Sequence, residues 1–353
     1  MRQATAFPML RRAGTLALAA AGTALFWLSN VPLPFLFGPL AACLLAALAG
    51  APLAGPGVVS KAARTILGVA VGASVTPELV GDIPQMAASV AFVPVYIAAI
   101  GLVGVPFFRR VCGFDPATAY YAAMPGGLQD MVTFGQEAGG DVRALSLIHA
   151  TRVLVIVTVV PFLLIHVFDR PLDQPIGAPA AELPLGQMAL MAAAALIGWK
   201  GGERIGLFGA TILGPLILTA ALSLMGLIET RPPREAILAA QFFIGVAIGV
   251  GYVGVTLREL RRDVLSGMVY VVILAVLALI VTEIVVIAGF ADPVEGFLAF
   301  APGGQAEMTV LGIVAGADLG FIVLHHLVRI VLVILGAPVV GAALGLGKGK
   351  ADG

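Results

Sequence analysis

Two passages of this sequence, 177 residues apart, repeat one another in register. Residues 115–161 and 292–338 are identical at 15 of 47 aligned positions. The shared positions include an Asp-Pro pair, a Pro-Gly-Gly triplet and both residues of an H-x-x-R pattern. Apolar composition can produce chance matches, but it does not place charged residues and a PGG triplet in register. The repeat indicates an internal duplication, so the fold must contain two related halves.

The composition predicts that both halves lie in a membrane. The chain is 60% hydrophobic and 11% charged, with a mean hydropathy of +1.05, whereas a soluble domain has roughly a quarter charged residues. Apolar segments of membrane-helix character fall near residues 13–30, 35–50, 60–77, 84–108, 143–168, 184–199, 205–228, 237–257, 264–289 and 319–342. The basic and then apolar start is interpreted as the first of these helices and not as a cleaved signal peptide. We predict an all-α polytopic membrane protein, with repeat 1 over 11–170, a linker over 171–183 and repeat 2 over 184–345.

Basic residues predict that the two repeats have opposite orientations. Lys and Arg favour cytoplasmic loops, yet the basic stretch 258–263 corresponds to residues around 78–82, which include no Lys or Arg. Likewise, Arg109 and Arg110 correspond to Val286 and Ile287. Inversion requires an odd number of crossings per repeat. We therefore predict two inverted repeats, each with about five transmembrane helices plus one re-entrant or broken helical hairpin, at 115–139 and 292–316.

The same rule predicts where the protein lies. Basic residues near both ends place both termini in the cytoplasm of a bacterial cell, with the chain in the inner membrane. Those residues are Arg2, Arg11, Arg12, Lys348 and Lys350.

The two PGG triplets are candidate binding sites. Proline removes a backbone donor and glycine permits positive φ, so each triplet should end a helix. Broken backbone at membrane depth persists where it is buried in protein or lines a wet cavity, and the freed helix ends can hold a substrate or an ion. The alternative is a simple kink or connection. The predicted substrate- or ion-binding residues are Pro125, Gly126, Gly127, Gln129, Asp130, His149, Arg152, Pro302, Gly303, Gly304, Gln305, Glu307, His326 and Arg329.

Three pairs of side chains near the triplets each have two possible roles. Asp130 and Glu307 follow the triplets and either handle a cation or proton, or offset a helix dipole. Arg152 and Arg329 either neutralise those acids or receive an anionic substrate. His149 and His326 lie three residues earlier on the same helical face; they either titrate near neutral pH or are hydrogen-bonded packing residues.

Several function classes lack the residues that they need. The four histidines and two cysteines form no clustered ligand set for copper, iron or zinc, so we expect no metal, no cofactor and no enzyme activity. A net charge of zero gives no basic field for nucleic acid. The expected partners are membrane lipid and a small-molecule or ion substrate, and a homodimer is left open.

The passages "AMPGGLQDM" and "APGGQAEMTVLG", each followed by a helix with H-x-x-R, resemble the AbrB-type family of duplicated membrane proteins. The stretch "PLPFLFGPLAA" at 32–42 also fits, and the resemblance covers nearly the whole chain. Members are often labelled as ammonia monooxygenases or regulators of gene expression. The architecture also resembles secondary transporters with inverted repeats and paired re-entrant hairpins.

Three functions follow from these observations. The first is a secondary transporter that exchanges access by an elevator-like or rocking movement; it draws on ion gradients because no GxxxxGK[ST] loop is present. The second is a membrane sensor or regulator that binds a ligand at the same tips and moves nothing. The third is a membrane enzyme, for which the clustered ligands of an oxygenase are missing.

Overall fold

A computed structural model describes residues 3–31, 33–207 and 209–346, and over these residues the chain is helical without a β-strand. Arg2, Lys348 and Lys350, part of the basis for the predicted cytoplasmic termini, lie outside the described residues. The helices are α1 (Gln3–Leu28), α2 (Pro34–Leu48), α3 (Val58–Gly72), α4 (Pro77–Val90), α5 (Phe92–Pro106), α6 (Pro116–Ala123), α7 (Leu128–Glu137), α8 (Val142–His166), α9 (Leu185–Arg204), α10 (Ala210–Leu224), α11 (Arg234–Val250), α12 (Leu257–Glu259), α13 (Leu265–Ile287), α14 (Pro293–Phe300), α15 (Gln305–Val314) and α16 (Leu319–Ala343). A 3-10 turn spans Ala180–Glu182, and π-helical turns span Phe107–Val111 and Leu260–Val264.

Within the described residues, four helical stretches are long and apolar enough to cross a membrane. They cover Ile83–Val111, Val142–His166, Leu257–Ile287 and Leu319–Ala343, each with a mean hydropathy of at least 2.2 over its most apolar window. Two shorter apolar helices cover Pro34–Leu48 and Ala210–Leu224. The prediction of an all-α protein with membrane-spanning helices is confirmed to that extent.

The helices form two compact units that do not follow the order of the sequence. Unit 1 combines residues 1–77 with 172–256, and unit 2 combines residues 78–171 with 257–353. Each unit therefore takes about half of repeat 1 and about half of repeat 2. Unit 2 contains all four long apolar helices and both PGG triplets.

In unit 1, helices of repeat 1 pack against helices of repeat 2. Helix α3 of repeat 1 packs on α10 of repeat 2, and the corresponding helix α11 of repeat 2 packs on α2 of repeat 1. A Cβ added at Gly68 would lie 2.5 Å from the Ile212 carbonyl oxygen, and one at Gly245 would meet the equivalent Leu36 carbonyl. Glycine at these positions lets the two backbones approach closely, a use of small residues that is common where membrane helices pack together.

In unit 2 the sequence-equivalent helices α5 and α13 pack side by side in opposite directions. Near one end, Arg262 Nη2, in the π-helical turn before α13, donates at 3.4 Å to the carbonyl oxygen of Gly113, two residues after the π-helical turn that follows α5. Further along, the Tyr270 hydroxyl lies against Gly104 and 3.5 Å from the Ile100 carbonyl. As residue numbers rise in α13 they fall in α5, so the pair is antiparallel.

Candidate functional site

The predicted interrupted segments are helical hairpins. In the first, the Asp141 amide, just after α7, donates to Thr118 Oγ1 in the first turn of α6 at 2.7 Å. In the second, the Asp318 amide after α15 donates to Glu295 Oε1 in the first turn of α14 at 3.2 Å. Because the start and end of each segment are bonded together, each segment leaves and returns at the same end, with its PGG triplet in the turn.

Proline explains where each hairpin breaks. The residue before proline is kept out of the helical region, and Met124 and Ala301 accordingly have ψ values of 135° and 132°. The second helix of each hairpin starts after the final glycine of the triplet. Pro125 and Pro302 are buried, so they end α6 and α14 inside the protein.

The expectation that glycine serves positive φ at the triplets is wrong. Gly127 and Gly304 have φ values of −65° and −74°, and Gly126 and Gly303 are not in the left-handed region either. Space is the physical reason. A Cβ at Gly126 would lie 2.6 Å from Met131 Cε, and one at Gly303 would lie 2.7 Å from Met308 Cε. Both methionines are fully buried beneath the turns.

The two histidines of the H-x-x-R patterns bind carbonyls in the last turn of the first helix of each hairpin, α6 and α14. His149 Nε2 lies 3.0 Å from the Tyr121 carbonyl oxygen, and His326 Nε2 lies 2.9 Å from the equivalent Leu298 carbonyl. A carbonyl only accepts, so Nε2 carries the proton in both rings. His326 Nδ1 also accepts from Arg329 Nη2 at 2.9 Å, which fixes His326 as the neutral tautomer. Of the two roles predicted for these histidines, this geometry favours hydrogen-bonded packing.

The two arginines brace the broken backbone directly. Arg152 donates from Nη1 to the Met124 carbonyl at 3.1 Å and from Nη2 to the Gly126 carbonyl at 2.5 Å. The second repeat has the same pair of bonds, in which Arg329 donates to the carbonyls of residues 301 and 303 at 2.8 and 2.7 Å. Both side chains are about 4% exposed. The planar guanidinium therefore satisfies carbonyls that the helix break frees, a role that the sequence did not indicate.

The acids Asp130 and Glu307 occupy the first turns of α7 and α15. Each is half-buried, and each carboxylate lies against the N-cap glycine of its own helix, Gly127 or Gly304. This is the position that offsets the helix dipole. Glu307 also interacts electrostatically with the Arg152 guanidinium of the other repeat. The dipole role is thus compatible with the geometry, and cation or proton handling stays a prediction.

Of the two predicted glutamines, the structure describes the side chain of Gln305 but not that of Gln129. Gln129 lies in α7, but its side chain is outside the described part of the structure. Gln305 is the first residue of α15 and is only 6% exposed, and its Nε2 has no hydrogen-bond partner in the described part of the chain. Gln305 therefore presents a buried donor at the second tip.

Sequence reasoning missed Tyr270, which supports the first tip. Its hydroxyl donates to the Ala123 carbonyl at 2.8 Å, next to the carbonyls that Arg152 and His149 cap. Tyr270 is one aromatic residue within an apolar helix and has no equivalent in repeat 1, where position 93 is valine. Its role depends on the antiparallel packing of α5 and α13, which no local pattern reveals.

Within residues 3–31, 33–207 and 209–346, no group of three or more His, Cys, Asp or Glu side chains is arranged to hold a metal ion. Cys43 and Cys112 are free thiols. Among the described side chains, the polar groups at the two tips include two arginines, two acids, two histidines, one buried glutamine and the Tyr270 hydroxyl.

The fold and the site define an all-α membrane-type protein with a duplicated helical hairpin, each copy braced by an H-x-x-R helix. The chain belongs to the AbrB family, because the family model described as "Transition state regulatory protein AbrB" matches residues 35–344. The resemblance inferred from the PGG passages is therefore confirmed.

Two curated proteins are similar over nearly their whole length. "Uncharacterized protein YhjN" of Bacillus subtilis (strain 168) is 25% identical over 346 residues, which cover 90% of this chain and 89% of that protein. "Putative regulator AbrB" of Escherichia coli (strain K12) is 25% identical over 320 residues, which cover 88% and 90%. No solved structure matches the chain.

Proposed function

We propose that the protein is a secondary transporter for a small solute in the bacterial inner membrane, coupled to a proton or another ion. The observation that carries this proposal is the duplicated, buried and identically braced hairpin break. Arg152 and Arg329 donate hydrogen bonds to backbone carbonyls at the two interruptions, where a continuous helix would use its own N–H groups. Broken helices at membrane depth persist where they are buried in protein or line a cavity, and paired broken helices are typical of transporter sites.

In this proposal the two repeats are inverted and both hairpins are re-entrant. The antiparallel packing of the sequence-equivalent helices α5 and α13 supports inversion. The bonded ends of each hairpin support entry and exit on one side of the membrane. The first hairpin would open to the cytoplasm and the second to the outside, so the two tips would reach the midplane from opposite faces.

The acids at the tips are the proposed coupling groups. Asp130 and Glu307 would take up a proton or a cation from one side and release it on the other, with the ion gradient as the energy source. The whole site belongs to unit 2, so a movement that changes access could carry the site intact. The proposal includes no catalytic step, no cofactor and no nucleic-acid partner.

Topology is the first test. Single cysteines at Glu137 and Ala317, in a chain with Cys43→Ala and Cys112→Ala, would be labelled with a membrane-impermeant thiol reagent from each side. Glu137 is the exposed last residue of α7, so a cysteine there is accessible to the reagent. Gly140, three residues later, is less suitable because a Cβ there would lie 3.1 Å from the Thr118 amide nitrogen. We expect position 137 to label from the cytoplasm and position 317 from outside. Labelling from one shared side, or on reversed sides, would contradict the paired re-entrant hairpins.

Coupled flux is the second test. Liposomes loaded with a pH-sensitive dye and containing the protein would receive carboxylates, amino acids or ammonium salts outside, with protein-free liposomes as the blank. We expect a protein-dependent proton flux that Asp130→Asn or Glu307→Gln abolishes without loss of folded protein. Glu137→Gln is the matched control, because Glu137 is an exposed acid at the other end of α7. Wild-type flux in both acid variants would remove the assigned coupling role.

The names of the family and of the E. coli relative favour one alternative, a membrane sensor that influences gene expression indirectly. Such a protein would bind a ligand at the same tips. Ligand binding without flux in sealed liposomes would support the sensor over the transporter.

A further inference from the structure

The buried polar atoms around the two tips include several donors that have no acceptor among the described residues. Arg152 Nε, Arg329 Nε and Gln305 Nε2 are buried and have no hydrogen-bond partner, and the Tyr96 hydroxyl is in the same condition. Each of these side chains is at most 6% exposed. A buried donor without an acceptor costs about 1–3 kcal/mol, so four such groups in one region require an explanation.

These donors belong to one neighbourhood of unit 2. Tyr96 interacts electrostatically with both Arg152 and Arg329, and its ring contacts Phe300 of α14, with 5.9 Å between the ring centroids. Arg329 binds the carbonyl of Gly303, two residues before Gln305. The side chain of Gln305 leans back toward the start of α15 because Cβ atoms tilt toward a helix N-terminus. The region therefore combines the positive end of a ten-residue helix with N–H and O–H donors.

Donors without acceptors identify the chemistry of the missing partner as acceptor-rich. An ammonium ion or an inorganic cation offers no acceptor and would meet two buried guanidinium groups. A carboxylate offers two oxygens, matches the geometry of Arg and amide N–H groups, and is favoured at a helix N-terminus.

Glu307 is the obstacle to such an anion. Its carboxylate already lies against Gly304 at the N-terminus of α15, and a second negative charge there would be repelled. Arg152 of α8 interacts electrostatically with Glu307, and it also interacts with Tyr96 of α5 and Tyr270 of α13. Tyr96 interacts in turn with Arg329 of α16, which is hydrogen-bonded to His326. His326 is held neutral, so the net charge of Asp130, Arg152, Glu307 and Arg329 is zero when both acids are ionised. One proton added with one carboxylate keeps it at zero.

We propose that the second hairpin tip binds the carboxylate of a small organic anion, and that a proton on Glu307 accompanies it. The proton binds a carboxylate oxygen of Glu307, no covalent bond forms or breaks between the anion and the protein, and both are released on the other side. This inference rests on the proposed function. It makes the protein an electroneutral symporter of a proton with a small carboxylate.

Binding to the full-length protein in detergent tests the inference without any transport. Lactate and gluconate, which each have one carboxylate, would be the probes, with choline, ammonium and chloride salts at the same ionic strength as controls, at pH 5.5 and pH 8.0. We expect at least one carboxylate to raise the thermal midpoint, and to do so more at pH 5.5. Above the pKa of the accompanying carboxyl group, the apparent affinity should fall by up to about tenfold per pH unit.

Two substitutions separate binding from folding. Glu307→Gln mimics the protonated acid, so carboxylate binding should persist at pH 8.0 with little pH dependence. Gln305→Leu removes the donor and introduces the residue that repeat 1 has at position 128; the carboxylate affinity should fall about tenfold or more. Leu128→Gln at the first tip is the matched control and should leave the affinity unchanged.

Each outcome bears on the inference. Binding of a carboxylate at pH 5.5 that becomes pH-independent in Glu307→Gln supports it. No stabilisation by any carboxylate, stabilisation by ammonium or choline instead, or an unchanged pH dependence in Glu307→Gln overturns it. If the inference fails while the flux of another solute still requires Asp130 and Glu307, the transporter proposal stands with a different substrate.

Discussion

The two hairpins share their bracing and differ in the side chains that surround it. In both, a histidine and an arginine of the following long helix cap three backbone carbonyls at equivalent positions. Around the first hairpin, two tyrosine hydroxyls add support: Tyr270 binds the Ala123 carbonyl and Tyr120 binds the Ala337 carbonyl at 2.9 Å. Around the second, Thr282 Oγ1 binds the Gly296 carbonyl at 3.3 Å.

The difference extends to the tips themselves. The first tip starts its second helix with Leu128 and has the shorter acid, Asp130. The second starts with buried Gln305 and has the longer acid, Glu307. Duplication thus preserved what keeps the helix broken, whereas the side chains that could meet a ligand diverged. The brace is common to both hairpins, and the tip residues are where the two repeats differ.

The largest expected effect comes from removing a brace. Arg152→Met or Arg329→Met leaves two buried carbonyls without donors, so each should lower the free energy of unfolding by about 3–5 kcal/mol. Denaturation in mixed detergent micelles would measure the loss. The two variants should agree within about 1 kcal/mol because the carbonyl bonds are equivalent, with the larger loss in Arg329→Met, which also removes the bond to His326. Arg143→Met is the control: its ion pair with Glu259 is 42% exposed on the arginine side and should contribute less than about 1 kcal/mol. A loss in only one repeat would show that the braces are not equivalent.

Replacing the histidines should destabilise the protein less than replacing the arginines, and the loss should differ between the two repeats. His326→Leu removes both the donor to Leu298 and the acceptor of Arg329, whereas Nδ1 of His149 has no partner to lose. We expect His326→Leu to cost about 2–3 kcal/mol and His149→Leu about 1–2 kcal/mol. The same denaturation assay would measure both. Equal losses would indicate that the bond between Arg329 and His326 contributes nothing.

Tyrosine hydroxyls test the support that only the first hairpin has. Tyr270→Phe should lower the free energy of unfolding by about 1–2 kcal/mol, because the Ala123 carbonyl loses its donor. Tyr96→Phe is the matched control: that hydroxyl is buried without a partner, so its removal should be neutral or slightly stabilising in the absence of ligand. A cost for Tyr96→Phe as large as that for Tyr270→Phe would mean that the Tyr96 hydroxyl has an unrecognised acceptor.

The sequence was sufficient to predict the class of fold, the duplication and the break in each hairpin. Proline, a PGG triplet in register and the apolar composition act locally or through overall composition, so they can be recognised without coordinates. The partners of Arg152 and Arg329 were not predictable. Both proposed alternatives involved charged groups, whereas the guanidinium groups bind backbone carbonyls, which carry no sequence signal.

The packing of distant helices was equally unpredictable from the sequence. The compact units join parts of both repeats, and Gly68 and Gly245 lie where helices of different repeats approach each other. A repeat boundary in sequence marks how the gene duplicated, but burial of apolar helix faces decides which helices pack together. The glycines of the PGG triplets show the same limit, because their small size and not their φ freedom is what the packing requires.

The smallest effect concerns the contact between each acid and its N-cap glycine. Gly127→Ala and Gly304→Ala place a methyl group where the carboxylates of Asp130 and Glu307 lie, so each acid must move off the N-terminus of its helix. We expect losses of about 0.5–1 kcal/mol, the usual value of an acid at this end of a helix. Asp130 has one methylene fewer than Glu307 and can relocate less easily, so the first hairpin should lose more.

A double-mutant cycle separates this effect from the general cost of alanine at an N-cap. In an Asp130→Asn background the charge on the helix dipole is already gone, so the added cost of Gly127→Ala should shrink, and likewise for Gly304→Ala with Glu307→Gln. Gly201→Ala, a helical position with nothing near the added methyl, should instead be stabilising by up to about 1 kcal/mol. Full additivity in both cycles would mean that the acids do not cap their helices. Their position at the tips would then be explained by the ligand alone, which would make the difference between Asp130 and Glu307 a matter of what each tip binds.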